Sequence, residues 1–436
     1  MLQLKRMSIS GIAVLINILS FLWHYIVPLL AVILLVRLAF KMWYHYVSED
    51  FITGLDWVLL EMKVPREVSK TPLAMELFFT NALYQKGYKG IWETWWQGAV
   101  RLWFSLEMVS IGGQVHFFIR TPSRIKNLVE SQLYAQFPGA EIDEVKDYPP
   151  EILNPKTGPW NAWGCEYTLE KEESIPIRTY VDYGLDKADV EEQYKVDPLT
   201  PTIEFLGSLE PGEQVWIQIL VRIADREYHK RGAWFGHIDW IERAYEFMEE
   251  IMKPYTRYHV GLAKGHEGEI AQEVRLPDHL RDNIESIKRK ISKPGFDCGI
   301  RTVYIAKKNV FTKTRYRDMR LIFRQFSNPD NNSFKRISST QFDYPWADPL
   351  GVSDKVIRAR IVERYRMRMM FYPKLRYSFK YPFPINFFFP SHEPHPFIMN
   401  SEELATIFHF PGRVSETPTF ERIESRTSKP PFNLPT

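Results

Sequence analysis

From Ile9 to Trp43 the chain reads ISGIAVLINILSFLWHYIVPLLAVILLVRLAFKMW, with Arg37 and Lys41 near its far end. About 20 apolar residues span a bilayer, so the run predicts at least one membrane-spanning helix, placed at Trp23 to Phe40. Leu29, Leu30, Ile33, Leu34, Leu35 and Phe40 would face lipid; Trp23, Tyr25, Trp43, Tyr44 and Tyr46 would sit at the interfaces. Arg37 and Lys41 would snorkel to the headgroups. Pro28 and the Trp23-His24-Tyr25 trio mark off Ile9 to Phe21 as a separate helix, lying in the interface or making a second short crossing. A cleaved signal peptide is the competing reading, and no small-residue cleavage site follows the apolar region. Orientation stays open, because Lys5 and Arg6 balance Arg37 and Lys41.

Beyond the anchor, residues 51–150 alternate in a way that predicts six elements. Asp56 to Val64 is a strand, Thr71 to Tyr84 a helix, and Arg101 to Ile111 and Gln114 to Arg120 two strands joined at Gly112-Gly113, the pair a tight hairpin favours. Ser123 to Phe137 is a helix capped by Ser123, and Ala140 to Lys146 a last strand. The order β-α-β-β-α-β is that of a ferredoxin-like module. Residues 151–345 repeat it: strands at Cys165 to Glu170, Gln214 to Ile223, Cys298 to Lys307 and Ser333 to Ser338, helices at Thr202 to Leu209 and Thr314 to Phe326. A helical insertion, about 225–294, replaces the tight turn, with helices at Ile238 to Met252 and Leu276 to Lys290. The expected class is therefore α+β, a transmembrane helix followed by two tandem ferredoxin-like modules.

Residues 346–436 differ in kind. Val352 to Phe371 predicts an amphipathic helix, with Ile357, Ile361, Tyr365 and Met369 beside a basic row of Arg360, Arg364 and Arg368, plus Arg358 and Arg366. Tyr372 to Pro396 is too rich in Pro and Phe for one regular element. Asn400 to Phe408 reads as a short capped helix, and the tail after it as an extended linker.

Composition adds two constraints. With 45% hydrophobic and 15% aromatic residues, the 436-residue chain has enough apolar surface to order a core. Its two cysteines, Cys165 and Cys298, exclude a disulfide scaffold and fit the cytoplasm. They read as reduced core thiols on neighbouring strands, with a regulatory disulfide as the alternative. The net charge of +3 hides a block from Glu141 to Glu213 with 18 acidic and 6 basic residues, and one from Lys313 to Lys380 with 16 basic and 6 acidic.

No phosphate loop, dinucleotide fingerprint, nucleophile elbow or zinc-protease motif occurs, so no enzymatic activity and no cofactor is expected. His392-Glu393-Pro394-His395 could hold a metal, but Pro394 forbids the helix that would align its histidines, and a packed loop is the better reading. His409 reads as a helix-end histidine bonded to backbone. The arginine-rich helix admits three readings. It could contact the phosphates of nucleic acid or lipid, be a solvated face or a face docked on the chain's own acidic block, or bind a partner protein.

Three phrases together carry a family resemblance. SLEMVSIGGQVHFFIRTP (Ser105–Pro122) with LVESQLYAQFP (Leu128–Pro138), EPGEQVWIQ (Glu210–Gln218), and NSEELATIFHFPG (Asn400–Gly412) followed by PPFNLP (Pro430–Pro435) resemble the non-motor N-terminal region of FtsK/HerA-like type IV secretion and conjugation ATPases, especially those of small-genome bacteria. In that family the proline-rich segment leads into the ATPase core, whereas this sequence stops at Thr436. The resemblance thus implies either a free-standing, membrane-anchored scaffold of the cytoplasmic membrane, its soluble part cytoplasmic, able to homo-oligomerise and to meet a separately encoded ATPase, or a product shortened at a domain boundary. The implied docking residues are Glu402, Glu403, Leu404, Phe408, His409 and Phe410. The alternative is a membrane-tethered DNA-binding protein using the basic helix. No small-molecule substrate is expected.

Overall fold

The structure, a computed structural model, describes residues 20–64, 70–85, 87, 90–148, 158–186, 196–225, 227–229, 236–260, 270–274, 276–339, 352–372 and 396–411. The expected first helix lies outside them except at its last two positions, as do His392 to His395 and the linker after Pro411. The described residues fall into two compact units.

The smaller unit combines the apolar helix with residues 90–100. A wide π turn, Leu22–Ile26, leads into α1, Val27–Thr53. The widened turn directly precedes Pro28, which has no N–H to donate and whose ring crowds the turn before it. Together these are 32 residues, roughly 48 Å long at 1.5 Å per residue. Length and composition allow α1 to cross a membrane. Trp23, Leu29, Leu30, Ile33, Leu34, Leu35, Phe40 and Trp43 are all exposed along it. The helix continues past the expected end at Phe40 to Thr53, with Gly54 as its C-cap.

In the larger unit β1 (Trp57–Lys63) is followed by α2 (Leu73–Phe78), which a π turn extends to Leu83. After α3 (Ile91–Trp95) of the smaller unit come β2 (Phe104–Ile111), β3 (Gln114–Pro122), α4 (Lys126–Gln136) and β4 (Glu141–Val145). Next are β5 (Trp160–Leu169), α5 (Thr200–Gly207) and β6 (Glu213–Ile223). The insertion holds two short ribbons, β7 (Tyr228–His229) with β8 (His237–Ile238) and β9 (Thr256–Val260) with β10 (Ile270–Val274). Its helices α6 (Trp240–Met252) and α7 (Asp278–Ile291) share a small core of Ala244, Met248, Ile284 and Ile287. The chain ends its described course with β11 (Gly295–Lys307), α8 (Lys313–Met319), β12 (Phe334–Ser339), α9 (Val352–Arg366), β13 (Phe397–Asn400) and α10 (Ser401–Ile407).

Nine strands form one antiparallel sheet in the order β12-β5-β11-β6-β2-β3-β1-β4, and β13 pairs with β11 beyond the end of β5. The hairpin turns at Gly112 and Gly113 with φ of 60° and 93°, the left-handed values a two-residue loop requires. Pairing of β2 with β6, from Phe104↔Val221 to Ile111↔Gln214, makes the sheet continuous. On one face α2, α4, α5, α8 and α10 close the main core with residues such as Phe78, Leu133, Leu206, Met319 and Leu404. On the other, α9 lays Ile361, Val362 and Tyr365 against Val109, Trp216, Val303 and Ile305.

Three local expectations change. Ser123 begins a 3-10 turn and α4 starts at Lys126 with no side-chain cap. The basic helix stops at Arg366, after which Arg368 takes a left-handed φ of 48°. The cysteines lie on neighbouring strands, but Cys165 faces Thr302, not Cys298. Four residues of register separate the thiols by about 13 Å, too far to bridge without backbone movement. Both are free and buried. Burial pushes the Cys165 thiol up to about 11 and raises Cys298 as well. Neither should react with a maleimide at neutral pH until the protein unfolds, and labelling of the native chain followed by mass measurement checks this.

Candidate functional site

The centre of the face under α9 is polar, because strands that alternate apolar residues toward the main core place charged groups on their other side. Glu107 of β2, Gln218 of β6, Arg301 of β11 and Glu166 of β5 all lie there and are fully buried. Glycines let α9 and the turn after it come close. A Cβ on Gly164 would meet Ile361 Cδ1 at 2.8 Å, and one on Gly299 would meet Met370 Sδ at 1.6 Å.

The buried groups form one connected network. Arg301 donates from Nε and Nη2 to Glu166 Oε1 at 2.8 and 2.6 Å, and from Nη1 to Gln218 Oε1 at 3.0 Å. Gln218 Nε2 donates to Glu107 Oε1 at 3.2 Å and to the Tyr365 carbonyl at 3.1 Å. Arg368 clamps two acids, Nε to Glu107 Oε1 at 2.9 Å and Nη1 to Asp147 Oδ2 at 2.6 Å. The Tyr148 hydroxyl donates to Glu107 Oε2 at 2.7 Å. Burial alone would raise the Glu107 carboxyl, but the Arg368 guanidinium and the hydroxyls of Ser105 and Tyr148 hold it below its ordinary 4.5. The network is therefore a charge-assisted lock between sheet and helix.

This shift has a testable sign. A depressed carboxyl contributes stability that is present above its ordinary value and lost as pH falls through the folded one. The stability difference between the wild type and Glu107→Gln should shrink as pH drops below 4.5, measured by denaturant unfolding at stepped pH. A difference that grew on acidification would reverse the assignment.

The five arginines read as a basic stripe have distinct places. Arg364 Nη1 lies 3.5 Å from Glu166 Oε2, Arg368 is buried on Glu107 and Asp147, and Arg358 Nη1 donates to Asn161 Oδ1 at 2.6 Å. Arg360 and Arg366 are part-exposed. The stripe is thus not one free basic surface: Arg368 is buried, while Arg358, Arg360, Arg364 and Arg366 keep part of their surface. Among the three readings the geometry favours docking on the chain's own acidic block, which holds Asp147 and Glu166 and, as a neutral acceptor for Arg358, Asn161. Glu107, which precedes that block, was missed; its signal is a carboxylate inside the apolar strand FSLEMVSI.

The six residues assigned to motor docking are also displaced. Glu402, Glu403, Leu404, Phe408, His409 and Phe410 are all buried. Asn400 caps α10 by accepting from Glu403 N at 2.8 Å, and Glu403 Oε2 accepts from Asn400 N at 2.9 Å, a capping box. Glu403 also faces Lys290 Nζ at 3.0 Å, both side chains wholly buried. Glu402 faces Lys293 Nζ at 2.9 Å and Arg289 Nε at 3.3 Å. Phe408 and Phe410 pack on Phe117. His409 Nδ1 donates to the Ala405 carbonyl at 2.9 Å, the helix-end bond expected, and Nε2 stands 3.1 Å from Asp197 Oδ1. The physical reason is that an apolar-rich, self-capped segment with two acids meets the buried Lys290 and the part-exposed Arg289 of α7 together with Lys293 just after it.

Among the described residues no group of three or more His, Cys, Asp or Glu is arranged to hold a metal ion. No curated protein matches the sequence. A family model described as "Domain of unknown function (DUF8128)" matches residues 93–422. That span holds every member of the charged lock and all of α10. The match covers well over half of the sequence, and the chain belongs to the DUF8128 family.

Proposed function

We propose that the chain is a non-enzymatic, membrane-anchored component of a type IV secretion, conjugation or pilus-like machine, which scaffolds a separately encoded hexameric ATPase at the cytoplasmic membrane. The observation that carries the reading is the exposed apolar helix Leu22–Thr53, none of whose apolar window is buried. Left in water, that surface would be a large aggregation-prone patch; lipid removes it. The free cysteines support a cytoplasmic position for the sheet. The strand order supports two fused ferredoxin-like halves, since each runs fourth, first, third, second strand: β4-β1-β3-β2 and β12-β5-β11-β6. With Glu402 to Phe410 committed to the core, the motor contact has to come from another surface.

The test is purification of the tagged full chain from membranes in mild detergent. The reading expects an FtsK/HerA-class ATPase to co-purify in stable proportion, with the chain itself free of nucleotide hydrolysis. Recovery of the chain alone, or with partners that include no ATPase, would contradict it. The DNA-binding reading loses support from the inward-turned Arg364 and Arg368.

A further inference from the structure

We infer that the short helix α3, with Ile91, Trp92, Trp95 and Trp96, is a second membrane-contact element, a collar that rests in the phospholipid headgroup region and fixes the depth of α1. The inference rests on the anchor reading and adds a surface to it. Four large apolar side chains are exposed within six residues: Ile91 at 81%, Trp92 at 64%, Trp95 at 45% and Trp96 at 59%. A five-residue helix has no stability of its own, so its position comes from what it is docked on.

That position is well defined along α1. Trp43 Nε1 donates to the Trp95 carbonyl at 2.9 Å. The Trp95 ring lies 5.5 Å from Tyr44 and 6.5 Å from Phe40, and Trp96 lies 5.7 Å from Trp43. Trp92 stacks on Trp96 at 5.2 Å. Next to them Gly98, with φ of 65°, brings its backbone so close to α1 that a Cβ would meet Val47 O at 2.1 Å. The collar is thus held beside residues 40–47.

Depth follows from helix geometry. Trp23 to Phe40 rises roughly 27 Å at 1.5 Å per residue, close to the roughly 30 Å hydrocarbon thickness. Phe40 to Tyr46 then fall at the interface, and α3 is clamped at that level. Lys41, one turn after Arg37, belongs at the same depth. Indole rings, apolar with one N–H, favour this zone over both water and hydrocarbon. A protein partner would leave the depth match without a cause, so the interfacial lipid is the occupant assigned.

The full chain reconstituted in phosphatidylcholine nanodiscs tests this. The emission lost in a Trp92→Gln, Trp95→Gln, Trp96→Gln variant reports the collar. With lipids brominated near the glycerol end, the collar emission is expected to fall by roughly half, and with lipids brominated near the chain terminus far less. A collar emission quenched by neither lipid, in chains that remain in the discs, overturns the collar and leaves the anchor standing. Chains that do not enter discs overturn both. Should the triple variant misfold, Ile91→Cys carries a polarity-sensitive dye, selectively because Cys165 and Cys298 are buried. A blue-shifted dye shielded from aqueous iodide supports the collar; a dye fully open to iodide refutes it.

Discussion

Replacing Arg368 by Met is expected to cost the larger unit roughly 3–5 kcal/mol, the usual penalty for stripping one partner from a buried ion pair. Arg368 is 1% exposed and Glu107 0%. Without the guanidinium, the Glu107 carboxylate keeps the Tyr148 and Ser105 hydroxyls and the Gln218 amide but loses the one cation bonded directly to it, leaving Arg120 and Arg301 as more distant countercharges. Asp147 also loses its bonds from Nη1 and Nη2, although its half-exposed carboxylate can turn to water. The cost is read from urea unfolding of the full chain in detergent, followed by tryptophan emission. Adding Glu107→Gln to Arg368→Met should recover part of the loss, because the orphaned charge is then gone. A loss below about 1 kcal/mol, the size of a surface pair, would mean that Arg368 serves something other than the lock.

Lys290→Met is the second large effect, again on the order of 3–5 kcal/mol. Lys290 Nζ bonds the Ile398 carbonyl at 3.0 Å and stands 3.0 Å from Glu403 Oε2. Burial already raises the Glu403 carboxyl above its ordinary value, with Lys290 opposing that rise. Removing Lys290 leaves burial unopposed by a cation, so Glu403 should take up a proton on folding and the lost stability should return as pH falls. The double variant Lys290→Met, Glu403→Gln should be more stable than the single one. If Glu403 were a docking residue, its replacement would instead leave folding intact and weaken only a complex.

Much of the fold was legible because local pattern carries it. Alternation in Gln114 to Pro122 and Glu213 to Ile223 marks strands, Gly112-Gly113 marks the hairpin, and Asn400 with Glu403 marks the start of α10. The joining of β2 to β6 was not legible, since no local signal encodes which strand edge meets which. The arginine row misled for a geometric reason. Arg364 and Tyr365 are neighbours about 100° apart around a helix, and a helix lying flat on a sheet can turn both toward it. The sign that they would turn inward was present in the strands, as Glu107, Gln218 and Arg301 interrupt otherwise apolar runs. The collar was missed altogether because GIWETWWQG has no period long enough to read; only docking on α1 orders it. At the C-terminus, Glu402 and Glu403 were assigned to motor docking because nothing local marks their partners, cations that lie more than a hundred residues earlier on α7 and the residues just after it.

Arg364, Arg368, Glu402 and Glu403 bond within the fold, and the exposed apolar helix is the feature on which the proposed membrane anchoring rests. Alkaline extraction of membranes from cells making the full chain, followed by intact mass of the retained protein, tests that directly. The account expects the chain to stay in the membrane pellet with its apolar segment intact, near 51.6 kDa. Release into the supernatant, or a retained chain shortened through the Leu22–Thr53 helix, would contradict it.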